Sequence, residues 1–230
     1  SMLDRLVSQK TKLTVYFSLN FIAAFFGFLV SWRAALFFSV YIFLIWFYSH
    51  KLKKIVFIGN LSAALLAVWP FFAILLYYYQ PTSIEELERH KDHFAVIIAH
   101  ASFLFLLILI RELIKDLENL KGDLANNYHT IPVFYGESWS KRISTGLTVL
   151  TLVPVYILIE LYDVGYMDIY FYSSLIVLLF FLLLLWQSNN KTHYIRLHNI
   201  LKFLIVAGVF CIVLINPSVL WHCKNWLLKQ

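Results

Sequence analysis

Seven long apolar runs constrain the fold of this chain more than any other feature. They cover residues 11–31, 33–49, 56–79, 94–110, 141–161, 169–187 and 200–217. A membrane-spanning helix needs about 20 mostly apolar residues, and these runs have about that length. They are rich in Leu, Ile and Phe and lack the strict alternation of barrel strands. The sequence therefore predicts an all-α, polytopic membrane helical bundle of about seven transmembrane helices, in a single domain over residues 1–230.

The positive charges predict how this bundle is oriented. If the N-terminus is inside and the spans alternate, most of the 19 Lys and Arg residues fall in cytoplasmic segments, as the positive-inside rule requires. We therefore expect an integral protein of a bacterial inner membrane, with a cytoplasmic N-terminus and the C-terminus on the opposite side. The net charge of +6 indicates contact with membrane lipid headgroups and no nucleic-acid partner.

The longest charged run, residues 111–136, directly follows the fourth apolar run. No Gly or Pro separates residues 94–110 from it, so we expect one helix to continue out of the apolar zone. The pair Asn126-Asn127 marks the expected end of that helix. The spacing of four oxygen-bearing residues places them on one helical face: Glu112, Asp116, Asn119 and Asp123.

Two interpretations of this charged helix stay open from the residues alone. One is a solvated amphipathic helix with internal ion pairs, such as Glu118 with Lys115 or Lys121. The other is a site for Mg²⁺, which takes a few carboxylate oxygens, keeps several waters and bridges to phosphate. On the second interpretation the loop from Tyr128 to Gly136 would cap the site from the cytoplasm.

A second polar segment ends the second span, on the same side of the membrane. It runs from Tyr48 to Lys54, and two interpretations again compete. Its lysines could simply anchor the helix end among lipid headgroups. Alternatively, Tyr48 and Lys53 point into a cytoplasmic cavity and hold an anion.

These two segments resemble signatures of one family, the UbiA superfamily of intramembrane prenyltransferases. Its second aspartate-rich motif is similar to the run from Arg111 to Asp123 followed by the Thr130–Gly136 segment. The most similar branch is the archaeal-type geranylgeranylglyceryl-phosphate one. A second signature resembles Tyr48-Ser49-x-x-Leu52-Lys53 with the following Gly59-Asn60. The resemblance covers essentially the whole chain.

The resemblance implies a function and a set of site residues. An isoprenoid group would pass from a prenyl diphosphate donor to a membrane-associated, lipid-soluble or aromatic acceptor, in a Mg²⁺-dependent reaction. Asp116 and Asp123 would be the catalytic metal ligands, and Asn119 and Glu118 auxiliary ligands of the metal. The implied diphosphate-binding residues are Tyr48, Lys53 and Lys115.

The chain departs from the family pattern in two places. An Asn-Asp-x-x-Asp motif is absent, so we expect the chain to lack the two N-terminal helices and the first aspartate-rich motif of the family. Asn119 stands where the pattern has Asp, which keeps an oxygen ligand but removes a charge. The alternative function is therefore a non-catalytic or truncated relative that binds isoprenoid or lipid, or that needs a partner.

Overall fold

The described chain is helical throughout, as predicted. The computed structural model describes residues 8–78, 91–162 and 164–211, and these residues contain no strand. Its α-helices are α1 Gln9–Val30, α2 Trp32–His50, α3 Ile58–Tyr78, α4 Lys91–Ala125, α5 Ile131–Tyr135, α6 Glu137–Leu150, α7 Leu152–Tyr156, α8 Asp168–Gln187 and α9 Lys191–Cys211. Short 3₁₀ turns lie at Leu52–Lys54 and Gly165–Met167, and a π-helical turn, Ile157–Leu161, continues α7.

Six helical segments are long and apolar enough to cross a membrane. They are Lys10–Val30, Trp32–His50, Phe94–Ala125, Glu137–Leu161, Gly165–Gln187 and Lys191–Cys211. In α3 the shorter apolar stretch Ile58–Ala73 corresponds to the remaining predicted span. Together they are consistent with the expected bundle of about seven helices in an integral membrane protein.

Most helix boundaries follow the sequence prediction. Only Ser31 separates α1 from α2, and its hydroxyl accepts a bond from the amide of Ala34 at 3.0 Å. The fourth apolar run does continue into the charged run, because α4 extends to Ala125. The last helix differs, since it begins at Lys191 rather than at residue 200. Its first turns are polar, so apolar composition alone could not identify them as helical.

Helix α4 forms the centre of the bundle and packs against α3, α6 and α9. Its buried side chains join those of α8 and α9 in one apolar core, which includes Phe103, Leu107, Ile110, Ile114, Phe171, Phe181, Leu201 and Leu204. A second, smaller cluster joins α3 to α4 through Ala64, Val68, Ala101, Ile108 and Leu109. Close packing therefore holds α3, α8 and α9 in place around α4, which determines the surroundings of its charged end.

The first two helices lie at the edge of the bundle. No residue of α2 is buried, and large side chains of α1 such as Phe21 are exposed. The ring of Phe37 stacks on Trp69 of α3 at 5.9 Å, and the hydroxyl of Tyr41 donates to the carbonyl of Leu66 at 3.1 Å. An exposed apolar surface of this kind suits contact with lipid tails.

Close packing joins α8 to α9. The hydroxyl of Tyr170 donates to the backbone carbonyl of Leu204 at 3.0 Å. This bond depends on Gly208, because a Cβ atom there would lie only 2.6 Å from the Tyr170 hydroxyl oxygen. The missing side chain lets the two helices approach closely.

A buried lysine closes the turn between α8 and α9. Lys141 of α6 is 7% exposed and donates to the carbonyl of Ser188, the residue that ends α8. Its ammonium nitrogen also lies 5.8 Å from the ring centre of Tyr194, whose hydroxyl donates to Glu137 at 2.9 Å. A positive charge stabilises a helix C-terminus, so the bond from Lys141 attaches the end of α8 to α6.

Candidate functional site

A polar cavity of about 180 Å³ lies where the end of α2, the start of α3 and the charged end of α4 meet. The loop that follows α4 completes its wall. The cavity is lined by Tyr48, Lys53, Ile55, Gly59, Asn60, Glu112, Lys115, Asp116, Asn119, Asp123, Tyr128, His129 and Thr130. The two polar segments singled out in the sequence therefore form one site.

The turn between α2 and α3 positions Lys53. The 3₁₀ turn Leu52–Lys54 packs so closely on α3 that a Cβ atom at Gly59 would lie 3.1 Å from the Lys53 carbonyl oxygen. The ammonium nitrogen of Lys53 lies 5.8 Å from the ring centre of Tyr128, a cation–π contact. Lys53 thus connects the α2–α3 turn with the loop after α4.

The acidic residues of the cavity follow one face of α4. Asp116 and Asp123 are seven residues apart, which corresponds to about 10 Å along a helix axis. The two carboxylates therefore cannot both bind one ion, and Asn119 lies between them in sequence. Consistent with this spacing, the described ranges contain no group of three His, Cys, Asp or Glu side chains close enough to hold a metal.

The cavity carboxylates differ in how their charge is compensated. Glu112 is buried and bonded at both oxygens, to Arg111 Nη2 at 2.7 Å and to Lys115 Nζ at 2.8 Å. The Oδ2 atom of Asp116 accepts a bond from the neutral side-chain amide of Asn60 at 2.7 Å. Glu112 is thus neutralised by direct ion pairs, whereas the bond to Asp116 comes from a neutral amide.

The residues present fit a magnesium–diphosphate group. Magnesium prefers a few carboxylate oxygens with water and phosphate oxygens, and this α4 face offers isolated carboxylates rather than a closed cage. The buried hydroxyl of Thr130 lies beside the Asp123 carboxylate, and both residues line the cavity. A volume of about 180 Å³ has room for several water-sized groups.

The cavity gathers all but one of the predicted site residues. Tyr48, Lys53, Lys115, Asp116, Asn119 and Asp123 all line it. Glu118 does not: its Oε2 atom lies 2.9 Å from Nδ1 of His198 on α9. Residues two apart on a helix differ by about 200° in direction, so Glu118 faces away from Asp116.

Sequence reasoning left out several residues of the cavity wall. Asn60 and Thr130 belong to the quoted signatures but received no role, and Glu112 was placed only on the acidic face. The helical spacing was the available signal for Glu112. Sequence gave no signal for the contact between Asn60 and Asp116, because the two residues are 56 positions apart.

Comparisons with known proteins point to one family. Residues 2–204 match the UbiA prenyltransferase family. The digeranylgeranylglyceryl phosphate synthase of Methanosphaera stadtmanae is 28% identical over 69% of this chain and 55% of its own. The synthase of the same name from Thermococcus sibiricus is 28% identical over 64% and 48%. That of Methanopyrus kandleri is 44% identical over 24% of each chain.

The chain spans about half the length of the first two of these relatives. No solved structure matches it significantly.

Proposed function

The chain belongs to the UbiA prenyltransferase family, and we propose that it transfers an isoprenoid group from a prenyl diphosphate to a lipid acceptor. One observation carries this proposal. At the end of the bundle, a single cavity combines an acidic face on α4 with the ammonium groups of Lys53 and Lys115. Such a pairing of carboxylates and cations suits a metal-bound diphosphate better than a bare anion or a bare metal.

The basic side of the cavity would bind the diphosphate directly. Lys53 and Lys115 each present an ammonium group with three donors, and the hydroxyl of Tyr48 adds a neutral donor on the same wall. Lys53 and Lys115 line the cavity and are exposed, so they can reach an incoming anion. Their positive charge stabilises the diphosphate both when it binds and when it leaves.

The acidic side of the cavity would hold magnesium. Because they cannot share one ion, Asp116 and Asp123 would supply their carboxylate oxygens to separate magnesium ions, and Asn119 would offer an amide oxygen between them. When bound, magnesium neutralises the charge that develops on the diphosphate as it departs. The allylic carbon–oxygen bond breaks with both electrons going to the diphosphate. A nucleophilic atom of the acceptor forms the new bond to that carbon and then loses its proton.

The names of the relatives favour one chemical class for the proposed acceptor. Both are named digeranylgeranylglyceryl phosphate synthase, and a product of that kind favours a lipid acceptor with a polar head over an aromatic one. We also propose that the cavity opens on the cytoplasmic side, because the basic segments around it follow the positive-inside rule. The isoprenoid tail would then lie toward the apolar helices.

A second candidate function is binding without turnover. Among the residues that the structure describes, the acidic side chains lining the cavity all come from α4, and the chain spans about half the length of the relatives. On this alternative the site binds prenyl diphosphate, but transfer needs further polypeptide that supplies a second acidic face.

Binding and turnover measured together test both candidates. The purified protein in lipid nanodiscs is titrated with geranylgeranyl thiodiphosphate, with and without Mg²⁺, for the wild type and Asp123→Ala. We expect Mg²⁺-dependent binding that weakens at least about tenfold in the variant. The matched control is Glu160→Ala, at an exposed position away from the cavity, which should bind as the wild type does.

The outcomes separate the candidates. Release of diphosphate from geranylgeranyl diphosphate in the presence of a lipid glyceryl phosphate would support transfer. Binding without such release would support the second candidate. A folded wild type that binds no thiodiphosphate would refute both.

A further inference from the structure

A short polar bond joins α3 to α4 at the cavity. Nδ2 of Asn60 donates to Oδ2 of Asp116 at 2.7 Å, across 56 residues of sequence. Asn60 is 8% exposed, in the first turn of α3, and it lines the cavity together with Asp116. Burying a polar side chain this deeply destabilises the folded protein unless the side chain forms a hydrogen bond.

The chemistry of this donor is suited to a carboxylate that binds a cation. Glu112, one turn earlier, is bonded by two positively charged side chains, which leaves it little attraction for a metal. An amide donor orients a carboxylate without cancelling its charge. Asp116 accepts its bond from a neutral amide at Oδ2, so a cation that binds this carboxylate does not have to displace a positively charged partner.

The helix that carries Asn60 is held rigidly against α4. Ala64 and Val68 of α3 are buried in the cluster with Ala101, Ile108 and Leu109 of α4. Gly59 lets the preceding turn pack within contact of the start of α3. Asn60 is therefore attached to a fixed frame, which is the requirement for a group that orients a ligand atom.

We propose that Asn60 is a positioning residue, which holds the Asp116 carboxylate in the orientation that binds the divalent cation. This inference rests on the proposed function, because it assigns Asp116 the metal-binding role. The proposal adds to the site a residue of α3, and it gives that residue the role of orienting the Asp116 carboxylate. Partners of metal ligands typically contribute about 10-fold to 100-fold in metal affinity.

A double-mutant cycle with a metal probe tests the proposal. Mn²⁺ affinity is measured by electron paramagnetic resonance on the full chain, as the wild type, Asn60→Ala, Asp116→Asn and the double variant. We expect Asn60→Ala to weaken Mn²⁺ binding about tenfold. In the Asp116→Asn background the same change should have no further effect, because the carboxylate that Asn60 orients is gone.

The controls separate positioning from a general loss of structure. Ser62→Ala removes an exposed side-chain bond on the same helix and should leave Mn²⁺ affinity unchanged. If Asn60→Ala does not fold, Asn60→Ser replaces it, since the shorter hydroxyl cannot span the distance to Asp116. Equal losses of affinity in the presence and absence of the Asp116 carboxylate would overturn the proposal, as would an unchanged affinity in a folded Asn60 variant.

The Mn²⁺ readout also distinguishes this proposal from the proposed function. Wild-type protein that binds Mn²⁺ but no prenyl thiodiphosphate would refute the prenyltransferase function, and the cycle would still decide the role of Asn60. Wild-type protein that binds no Mn²⁺ at all would overturn the role of Asn60 directly.

Discussion

The ammonium nitrogen of Lys115 lies 2.8 Å from Oε2 of Glu112, one helical turn away on α4. The other oxygen of the same carboxylate lies 2.7 Å from Nη2 of Arg111. Without a ligand, the positive charge of Lys115 is therefore directed toward Glu112. An incoming diphosphate has to compete with Glu112 for this lysine.

Replacing Glu112 by Gln should change anion binding and stability in opposite directions. The amide removes one negative charge from the cavity, so inorganic diphosphate should bind more tightly without Mg²⁺. The lost ion pairs should lower the free energy of unfolding by about 1 to 2 kcal/mol, less than for a fully buried pair because Lys115 is half exposed. Calorimetric titration with diphosphate and thermal unfolding in nanodiscs measure the two effects.

The control for that experiment is Glu160→Gln, which removes the same charge at an exposed position away from the cavity. It should leave diphosphate affinity unchanged. Equal diphosphate affinities of Glu112→Gln and the control would contradict the hypothesis that Glu112 competes with diphosphate for Lys115.

Replacing Asn119 by Asp should strengthen cation binding. Asn119 lies on the cavity wall with Asp116 and Asp123, and a third carboxylate adds attraction for a divalent ion. We expect about tenfold tighter Mn²⁺ binding at low salt, a gain of about 1.4 kcal/mol, and weaker binding of diphosphate without metal. Asn190→Asp adds the same charge at an exposed position outside the cavity lining. An equal effect of both substitutions would point to a general change of surface charge.

Two glycine substitutions should have opposite effects on stability. At Gly208 a methyl group would meet the Tyr170 hydroxyl at 2.6 Å, so Gly208→Ala should lower the free energy of unfolding by about 1 to 3 kcal/mol. At Gly146 a Cβ atom meets nothing within 4 Å, and Gly146→Ala should raise it by up to about 1 kcal/mol. Thermal unfolding in nanodiscs measures both. An unchanged free energy of unfolding for Gly208→Ala would show that the close contact with the Tyr170 ring, whose Cζ lies at 2.9 Å, does not limit residue size at this position.

Cysteine labelling should determine the orientation of the bundle. Single cysteines at Arg33 and at Lys191, with Cys211 and Cys223 replaced by Ser, should react with a membrane-impermeant maleimide from opposite sides. Arg33 follows the α1–α2 turn, and Lys191 begins α9 at the cavity end of the bundle. We expect Lys191 to react from the cytoplasmic side, as the positive-inside rule predicts. Labelling of both from one side would exclude this topology.

Local features of the fold could be predicted from the sequence, and distant contacts could not. The continuation of α4 into the charged run followed from the absence of Gly and Pro at their junction, and its end at Ala125 from the Asn126-Asn127 pair. The shared face of Asp116, Asn119 and Asp123 followed from helical spacing. Both properties depend on neighbouring residues only. The bond from Asn60 and the partner of Glu118 join residues 56 and 80 positions apart. They depend on how helices pack, which periodicity does not encode.

Helix α4 runs without a break from the apolar core to the cavity, so the position and the direction of its cavity side chains are linked. Each residue advances the helix by about 1.5 Å and turns it by about 100°, so residue count sets both the height and the bearing of Asp116 above the buried Ile110. A single inserted residue would rotate the carboxylate away from Asn60 while scarcely lifting it. A bound amphiphile would therefore contact the same continuous helix at its polar head and at the start of its apolar tail, and that helix would set the distance between the two contacts.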